Sequence, residues 1–336
     1  MSDNTPGPTP SPTPPEPVEK SDPPGPTDSS PPPILPAFRE GSLFWRLGGI
    51  VRQMRPEQWV KNIFVLGPVV FSKNLTHPTV IVSAIGGFGV FSLLASSIYC
   101  INDLIDREAD RVHPKKRFRP IASGRVPPTV GKILAALLVI VAMAGAMLGP
   151  WQFLVTVVAY WLMQLAYSFG LKKIAYVDVG IIALGFVLRV LAGSFAVRVQ
   201  PSFYIIACTA LLALFLGFGK RRHELAGANA AKQRAALEQY SPRVLSLAMI
   251  VTAVLAVATY LAWTLDPATQ ALFNSRWLWA TTVHPLFGVV RFLQLVASRP
   301  KSESPTQEIL RDVPFMMNLM LYGGEILVIV YQLRPG

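Results

Sequence analysis

Residues 102–124 read NDLIDREADRVHPKKRFRPIASG and lie directly after a long apolar segment. Asp103, Asp106 and Asp110 follow the spacing i, i+3, i+7, so on a helix they fall within about 60° of one another. Three carboxylates on one face repel one another unless a cation lies between them, and Mg²⁺ prefers such hard oxygen ligands. Asn102 adds a neutral oxygen. The pattern predicts a Mg²⁺ site formed by these four side chains, with Asp103 and Asp106 as its catalytic pair.

A cluster of Lys and Arg follows the acidic residues, between positions 111 and 119. Lysine binds a phosphate as a point charge and arginine as a planar fork, so the cluster is suited to holding a diphosphate. Lys116 and Arg119 are the candidate substrate-binding residues here. The alternative is a solvated loop whose opposite charges pair along a helix surface. The position of the acidic triad at the mouth of an apolar segment favours the functional interpretation.

The rest of the chain is dominated by apolar segments. Of its 336 residues, 51% are hydrophobic and 15% are charged, whereas a soluble domain carries roughly 25% charged residues. A helix needs about 20 apolar residues to cross the hydrocarbon core of a membrane. The sequence therefore predicts an all-α polytopic membrane protein with nine transmembrane helices. The nine segments lie at about 57–74, 79–101, 129–149, 151–170, 175–197, 202–219, 244–264, 277–297 and 314–332.

Basic residues are concentrated in alternate connections between these segments, notably 102–128 and 220–243. Connections rich in Lys and Arg stay on the cytoplasmic side of a membrane. This asymmetry predicts a cytoplasmic N-terminus and an active site at the cytoplasmic face of the plasma (inner) membrane. Topology and phosphorylated substrates together account for the net charge of +12, so we predict no nucleic-acid partner.

The first 38 residues differ in composition from everything that follows. They contain fourteen of the 30 prolines, interleaved with Ser, Thr, Gly and acidic residues. Such a segment cannot bury enough apolar area to offset its ordering entropy. We therefore expect a disordered, cytoplasmic tail at 1–38 and a transmembrane catalytic domain at 39–336.

The pattern N-D-x-x-D-x-x-x-D, followed by basic residues and Arg-Pro-Ile-Ala-Ser-Gly at 119–124, resembles the first Asp-rich motif of the UbiA superfamily of intramembrane transferases. The resemblance covers roughly residues 50–335. It implies nine helices around a central cavity, with the polar motifs capping the cavity on the cytoplasmic side. Tyr167-Ser168 and Lys172 resemble the Tyr-Ser…Lys feature of this superfamily, which implies that Tyr167 and Lys172 bind substrate.

The connection after the sixth segment departs from most UbiA-type prenyltransferases. Those enzymes carry a second Asp-rich motif there, whereas residues 219–225 read GKRRHEL, with Glu224 the only carboxylate. Lys and Arg hold phosphate groups directly. The exchange therefore favours a substrate with an additional phosphate, or a second phosphorylated substrate.

This segment and Arg-Pro-Glu-Gln-Trp-Val-Lys-Asn at 55–62 resemble one branch of the superfamily, the decaprenyl-phosphate phosphoribosyltransferases. The resemblance implies a Mg²⁺-dependent pentosyltransferase that moves phosphoribosyl from phosphoribosyl diphosphate to a polyprenyl phosphate, a precursor step for cell-wall arabinan. An ordinary positive-inside cluster is the alternative for 220–222. The implied substrate-binding residues are Lys61, Asn62, Lys220, Arg221 and Glu224.

Ionisable residues also occur inside the apolar segments, where a charge normally faces a cavity or a partner. Arg189 lies deep in the fifth segment and is a further candidate substrate-binding residue. Asp178 shares its helix face, which we expect either to line the cavity or to pair with another helix. Glu325 in the ninth segment is a candidate partner of Arg189, and the sequence leaves that pairing open. His284 is interpreted as a hydrogen-bonded core residue.

Two other functions fit parts of this pattern. A UbiA-type enzyme that prenylates an aromatic ring would share the Asp103–Asp110 site but should carry a second acidic motif. A transporter of a phosphorylated lipid or anion would also have many spans and a cationic cavity, yet corresponding pairs of Gly/Pro-interrupted spans are missing. The sequence leaves the polyprenyl length and a homo-oligomeric state open.

Overall fold

Helix α3 (Pro78–Ile105) is 28 residues long and brings the Asp-rich stretch to one end of the molecule. It begins at a proline, which suits a first turn because the missing N–H would have no helical partner there. The computed structural model describes residues 42–72, 77–226, 235–298, 309 and 311–331, all within the unit Phe38–Gly336. The expected disordered tail at 1–38 lies outside the described residues.

The described residues form helices and connections, without strands. Eight helical segments among them are long and apolar enough to cross a membrane, one of which combines a 3-10 helix (Leu278–Thr282) with the α-helix Val283–Ser298. The chain is an integral membrane protein, and the predicted all-α polytopic class is confirmed. In addition to α3, the α-helices are α1 (Leu43–Met54), α2 (Gly67–Phe71), α4 (Arg107–Val112), α5 (Pro128–Met147), α6 (Trp151–Phe169), α7 (Val177–Ala196), α8 (Phe203–Ala226), α9 (Pro242–Leu265), α10 (Pro267–Phe273), α11 (Val283–Ser298) and α12 (Val313–Tyr331).

The first predicted span, at about 57–74, is not one continuous α-helix. It consists of a 3-10 helix (Pro56–Val65) followed by the short helix α2, and residues 73–76 lie outside the described ranges. Gly67-Pro68 interrupts the segment, because proline cannot donate to an existing helical turn. Polar side chains also fasten it to α3: Asn62 Nδ2 donates to Ser92 Oγ at 3.1 Å. Backbone of this irregular kind is tolerated at membrane depth where protein covers it.

Helix α7 covers the other side of this irregular segment. A Cβ atom on Gly193 would overlap the backbone carbonyl of Val65, so the close approach requires glycine at position 193. The first segment is therefore packed between α3 and α7.

Three of the basic connections meet at one end of the bundle. Lys172 Nζ, in the connection between α6 and α7, lies 3.6 Å from Asp106 Oδ2 at the end of α3. The backbone N–H of Tyr176, in the same connection, donates to the hydroxyl of Tyr240, just before α9, at 2.9 Å. The polar motifs of the sequence therefore share one end of the helices.

Candidate functional site

Asp103 is buried at the end of α3, with 1% of its surface exposed. Arg55 Nη2 contacts both of its carboxylate oxygens, at 2.6 and 2.8 Å. Gln53 Nε2 donates to Oδ2 at 2.9 Å, and Arg119 Nη1 donates to Oδ1 at 3.1 Å. Each oxygen thus accepts two hydrogen bonds, and a carboxylate held in this way is a fixed structural anion.

Asp110 lies on α4, the short helix that follows α3 after Asp106. It is 2% exposed. Arg119 Nη1 bridges the two carboxylates, at 2.6 Å from Asp110 Oδ2 and 3.1 Å from Asp103 Oδ1. The predicted role of Arg119 in substrate binding is therefore accompanied by an ion-pairing role within the motif.

Asn102 and Asp106 form the second half of the motif. Four residues apart, they lie within about 40° of each other on the helix. Asn102 Oδ1 is buried and has no hydrogen-bond partner among the described residues. The Asp106 side chain is 40% exposed and has Lys172 Nζ at 3.6 Å. Asp103 and Asp110 are therefore bound to arginines, whereas Asn102 and Asp106 have side-chain oxygens still available to a ligand.

This division changes the predicted four-ligand Mg²⁺ site. Within the described ranges, no three His, Cys, Asp or Glu side chains are placed to share a metal ion. Mg²⁺ in enzymes usually takes only one or two carboxylates and completes its shell with substrate phosphates and water. The unpartnered oxygen of Asn102 and the accessible carboxylate of Asp106 fit that donor set. Asp103 and Asp110 fit the role of supports.

Arg189 is a buried cation in the middle of α7, with 6% of its surface exposed. Its Nε donates to Asn62 Oδ1 at 2.8 Å, and its Nη2 donates to the Tyr160 hydroxyl at 2.7 Å. No carboxylate among the described residues forms a salt bridge with it. The guanidinium therefore keeps its positive charge uncompensated by a direct anion.

Lys61 belongs to the same cationic region. The charges of Lys220, Arg189 and Arg55 all act on its ammonium group. Lys220 is 43% exposed and lies 3.9 Å from Glu224 Oε1. Arg55 and Lys220 are paired with Asp103 and Glu224, and Glu57 opposes part of the positive charge on Lys61. Arg189 has no carboxylate partner among the described residues, so the region keeps positive charge that is suited to binding phosphates.

Arg221, a predicted substrate-binding residue, lies in a buried network of ion pairs. Its side chain is 2% exposed, its Nε donates to Asp178 Oδ2 at 2.8 Å, and its Nη1 pairs with Glu224. Asp178 is completely buried and also accepts a hydrogen bond from the Tyr240 hydroxyl. Burial, together with that hydrogen bond, raises the pKa of the Tyr240 phenol above its ordinary value. This network joins α7, α8 and the start of α9, and its burial argues against direct phosphate contact by Arg221.

Glu325 is not the partner of Arg189. Its Oε2 lies 2.8 Å from His284 Nε2, while His284 Nδ1 lies 2.8 Å from Asn318 Oδ1. Asn318 Nδ2 donates to the His284 carbonyl at 3.1 Å, which fixes the orientation of the amide. The interpretation of His284 as a hydrogen-bonded residue is confirmed, and the network fastens α11 to α12.

The remaining predicted residues lie around the same end of the bundle. Tyr167 is half-buried on α6, and its charge interaction with Arg221 places it near the buried network. Lys172 contacts Asp106, as described above. Lys116 is exposed in a short 3-10 helix (Lys116–Phe118) that leads into Arg119.

Sequence reasoning missed Gln53 and assigned no role to Arg55, which it used only as the first residue of the stretch 55–62. Neither belongs to an acidic or basic run, and both lie 48 to 50 residues from the Asp103 side chain that they contact. The available signal is the Arg55-Pro56 pair, which marks a helix boundary because residues before proline avoid helical backbone.

Comparison with known proteins connects this geometry to a family. Residues 63–319 match the UbiA prenyltransferase family. The decaprenyl-phosphate phosphoribosyltransferase of Mycobacterium tuberculosis is 38% identical over 66% of this chain and 75% of its own length. The enzyme of the same name from Mycolicibacterium smegmatis is 32% identical over 85% of this chain and 93% of its own length.

A solved structure shares the fold. It is that of a UbiA homologue from Archaeoglobus fulgidus bound to DMAPP and Mg²⁺, and it superposes with a TM-score of 0.62. It is 18% identical and covers 84% of this chain and 99% of its own. These matches confirm the resemblance that the Asp-rich motif suggested.

Proposed function

Because the chain belongs to the UbiA prenyltransferase family, we propose that it transfers 5-phosphoribosyl from phosphoribosyl diphosphate to a polyprenyl phosphate and releases pyrophosphate. The names of its relatives from two mycobacterial species support this specificity. Decaprenyl phosphate is the proposed acceptor, and the product is a proposed precursor of cell-wall arabinan.

The observation that carries the proposal is the cationic region around Lys61. The positive charges of Lys220, Arg189 and Arg55 act on Lys61, and Arg189 Nε donates to Asn62 Oδ1, on the next residue of the chain, at 2.8 Å. The donor has three phosphate groups and the acceptor one, so the two substrates together present more negative charge than a prenyl diphosphate with an aromatic acceptor. A cationic region is suited to binding two substrates with this much negative charge.

Asn102 and Asp106 would hold the Mg²⁺ ion in this proposal. When bound, the ion would neutralise the negative charge that grows on the departing pyrophosphate. Asp103 and Asp110, held by Arg55 and Arg119, would keep the end of α3 in place. Lys61 and Lys220 would hold phosphates as point charges.

The chemistry needs one bond exchange at the ribose. The bond from carbon 1 to the pyrophosphate oxygen breaks, and carbon 1 gains oxocarbenium character as in other sugar transfers. An oxygen of the acceptor phosphate forms the new bond from the opposite face, which predicts inversion at carbon 1. The acceptor is already anionic near neutral pH, so the chain needs no general base.

The proposed site lies at the cytoplasmic face of the plasma membrane. The connections that carry the basic residues meet at the end of the bundle where Asp106 contacts Lys172, and positive connections favour the cytoplasmic side. On this topology the N-terminus is cytoplasmic. The polyprenyl chain of the acceptor would lie among membrane lipids, with its phosphate at the polar end of the helices.

Transfer of label tests the proposal. Purified full-length chain, Mg²⁺ and decaprenyl phosphate are incubated with labelled phosphoribosyl diphosphate, and we expect labelled lipid to form. Transfer only from a prenyl diphosphate to an aromatic acceptor would instead identify an aromatic prenyltransferase. Labelled anion accumulating inside proteoliposomes without any product would identify a transporter.

A further inference from the structure

The Asp-rich motif is held by Gln53 and Arg55, which belong neither to the acidic stretch at 102–110 nor to the basic stretch at 219–225. We propose that Gln53 and Arg55 are positioning residues that fix the last turn of α3, so that Asn102 and Asp106 present their oxygens to a divalent metal ion. The inference rests on the proposed function for the identity of that site. It concerns how the metal ligands are oriented.

Hydrogen bonds from Gln53 and Arg55 hold the buried carboxylate of Asp103 in place. Gln53 is 0% exposed and Asp103 is 1% exposed. Arg55 Nη2 lies 2.6 Å from Oδ1 and 2.8 Å from Oδ2, and Gln53 Nε2 lies 2.9 Å from Oδ2. A buried carboxylate that accepts this many hydrogen bonds cannot rotate without leaving charged or polar groups unpaired. Asp103 therefore anchors α3 to the chain around Arg55.

The backbone conformation of Arg55 sets the direction of the chain after α1. Arg55 has φ 53° and ψ 61°, a left-handed conformation at the boundary between α1 and the 3-10 helix. A residue with a side chain adopts this conformation only where its surroundings enforce it, and such residues concentrate at functional sites. Here the left-handed residue changes the direction of the chain. Gln53, inside α1, and Arg55, just after it, therefore both contact the carboxylate of Asp103.

The effect on the metal ligands follows from the position of Asp103 in α3. The last turn of a helix frays easily, because its carbonyl groups lack helical partners. Asn102 and Asp106 belong to that turn, and the Asp106 N–H donates to the Asn102 carbonyl at 2.9 Å. Asp103 lies between them. Anchoring Asp103 therefore fixes both neighbours in the orientation that a shared ion requires, as outer partners do for metal ligands in general.

The chain offers a test that separates positioning from charge. Gln53→Met removes one hydrogen-bond donor at nearly constant volume and without changing charge. Arg55→Gln removes a donor together with its charge. Arg46→Gln is the matched control, because Arg46 is also on α1 but is exposed. The measurement is equilibrium dialysis of the detergent-purified full-length chain against radioactive Mn²⁺ in the presence of inorganic pyrophosphate, with folding checked by gel filtration.

We expect Gln53→Met to weaken Mn²⁺ binding about 10-fold and Arg55→Gln to weaken it up to about 100-fold, the range found for groups that orient metal ligands. Arg55→Lys should recover part of the loss, and Arg46→Gln should bind as the unaltered chain does. Unchanged affinity in Gln53→Met would overturn the proposal, since a loss confined to Arg55→Gln would then come from weaker binding of the pyrophosphate anion. Absence of saturable Mn²⁺ binding by the unaltered chain would overturn it as well. The measurement uses no transferable substrate, so it is independent of whether phosphoribosyl is transferred.

Discussion

Arg189 Nε donates to Asn62 Oδ1 at 2.8 Å, across 127 positions of the sequence. The bond joins the middle of α7 to the 3-10 helix that begins at Pro56. It holds one buried guanidinium beside the segment that also carries Lys61. The cationic region is therefore assembled by a contact between two separate parts of the chain.

Replacing Arg189 tests that contact. Arg189→Met leaves Asn62 Oδ1 without the hydrogen bond it now accepts, at a cost of about 1–3 kcal/mol for an unsatisfied buried group, whereas the Tyr160 hydroxyl keeps its hydrogen bond from Gln164 Nε2 at 2.9 Å. We expect a lower unfolding temperature in detergent and loss of lipid labelling. Arg243→Met, at an exposed position, is the control and should behave as the unaltered chain. Equal unfolding temperatures for the two variants would contradict the structural role.

Asp106 is predicted to be the carboxylate that matters most for metal-dependent turnover. Asp106→Asn keeps the size of the side chain but removes its charge, and we expect kcat/KM to fall by about 100-fold or more, as for loss of one group that stabilises developing charge. Raising the Mg²⁺ concentration should restore part of the activity. Glu108→Gln, two residues away and 73% exposed, should keep full activity. Steady-state kinetics over a Mg²⁺ series decides the point.

Asp178 is predicted to stabilise the fold without contacting substrate. Asp178→Asn leaves the buried guanidinium of Arg221 with Glu224 as its one carboxylate partner among the described residues, and breaking a buried ion pair costs about 3–5 kcal/mol. Thermal unfolding should detect the loss, whereas KM for the donor in the remaining folded fraction should be unchanged. Glu238→Gln provides the exposed control. A raised KM with unaltered thermal stability would instead place this network at the substrate.

Gly193 is predicted to tolerate no side chain. Gly193→Ala would force the Cβ atom into the carbonyl of Val65, and the first segment would have to move away from α7. We expect poor folding and little lipid labelling.

Gly180→Ala is the matched control on the same helix. Among the described residues, no atom outside the neighbouring turns of its own helix lies within 4 Å of the point that its Cβ would occupy. Alanine is favoured over glycine inside a helix by about 1 kcal/mol. Gly180→Ala should therefore be at least as stable as the unaltered chain. Normal folding of Gly193→Ala would show that the contact between α7 and the first segment can relax.

The sequence by itself determined the features that depend on local properties. Apolar length predicts the spanning helices because the transfer of each segment into hydrocarbon depends on its own composition. The helical fold class and the Asp-rich motif at 102–110 were also predicted from local features of the sequence. The first segment departed from a single helix because Gly67-Pro68 interrupts regular helical backbone, and the side-chain bond from Asn62 to Ser92 holds the irregular segment against α3.

Only the tertiary structure decided how the charges pair. Identical spacing arguments apply to Asp103 and Asp106, yet one is buried under Gln53 and Arg55 and the other is 40% exposed. Arg221 and Lys220 are neighbours in one basic run, yet Arg221 is buried against Asp178 while Lys220 is 43% exposed. Helical periodicity fixes the direction of each side chain relative to its own helix. Which groups it meets depends on the packing of helices that are distant in sequence, and that packing decides which charges are neutralised and which can bind a substrate.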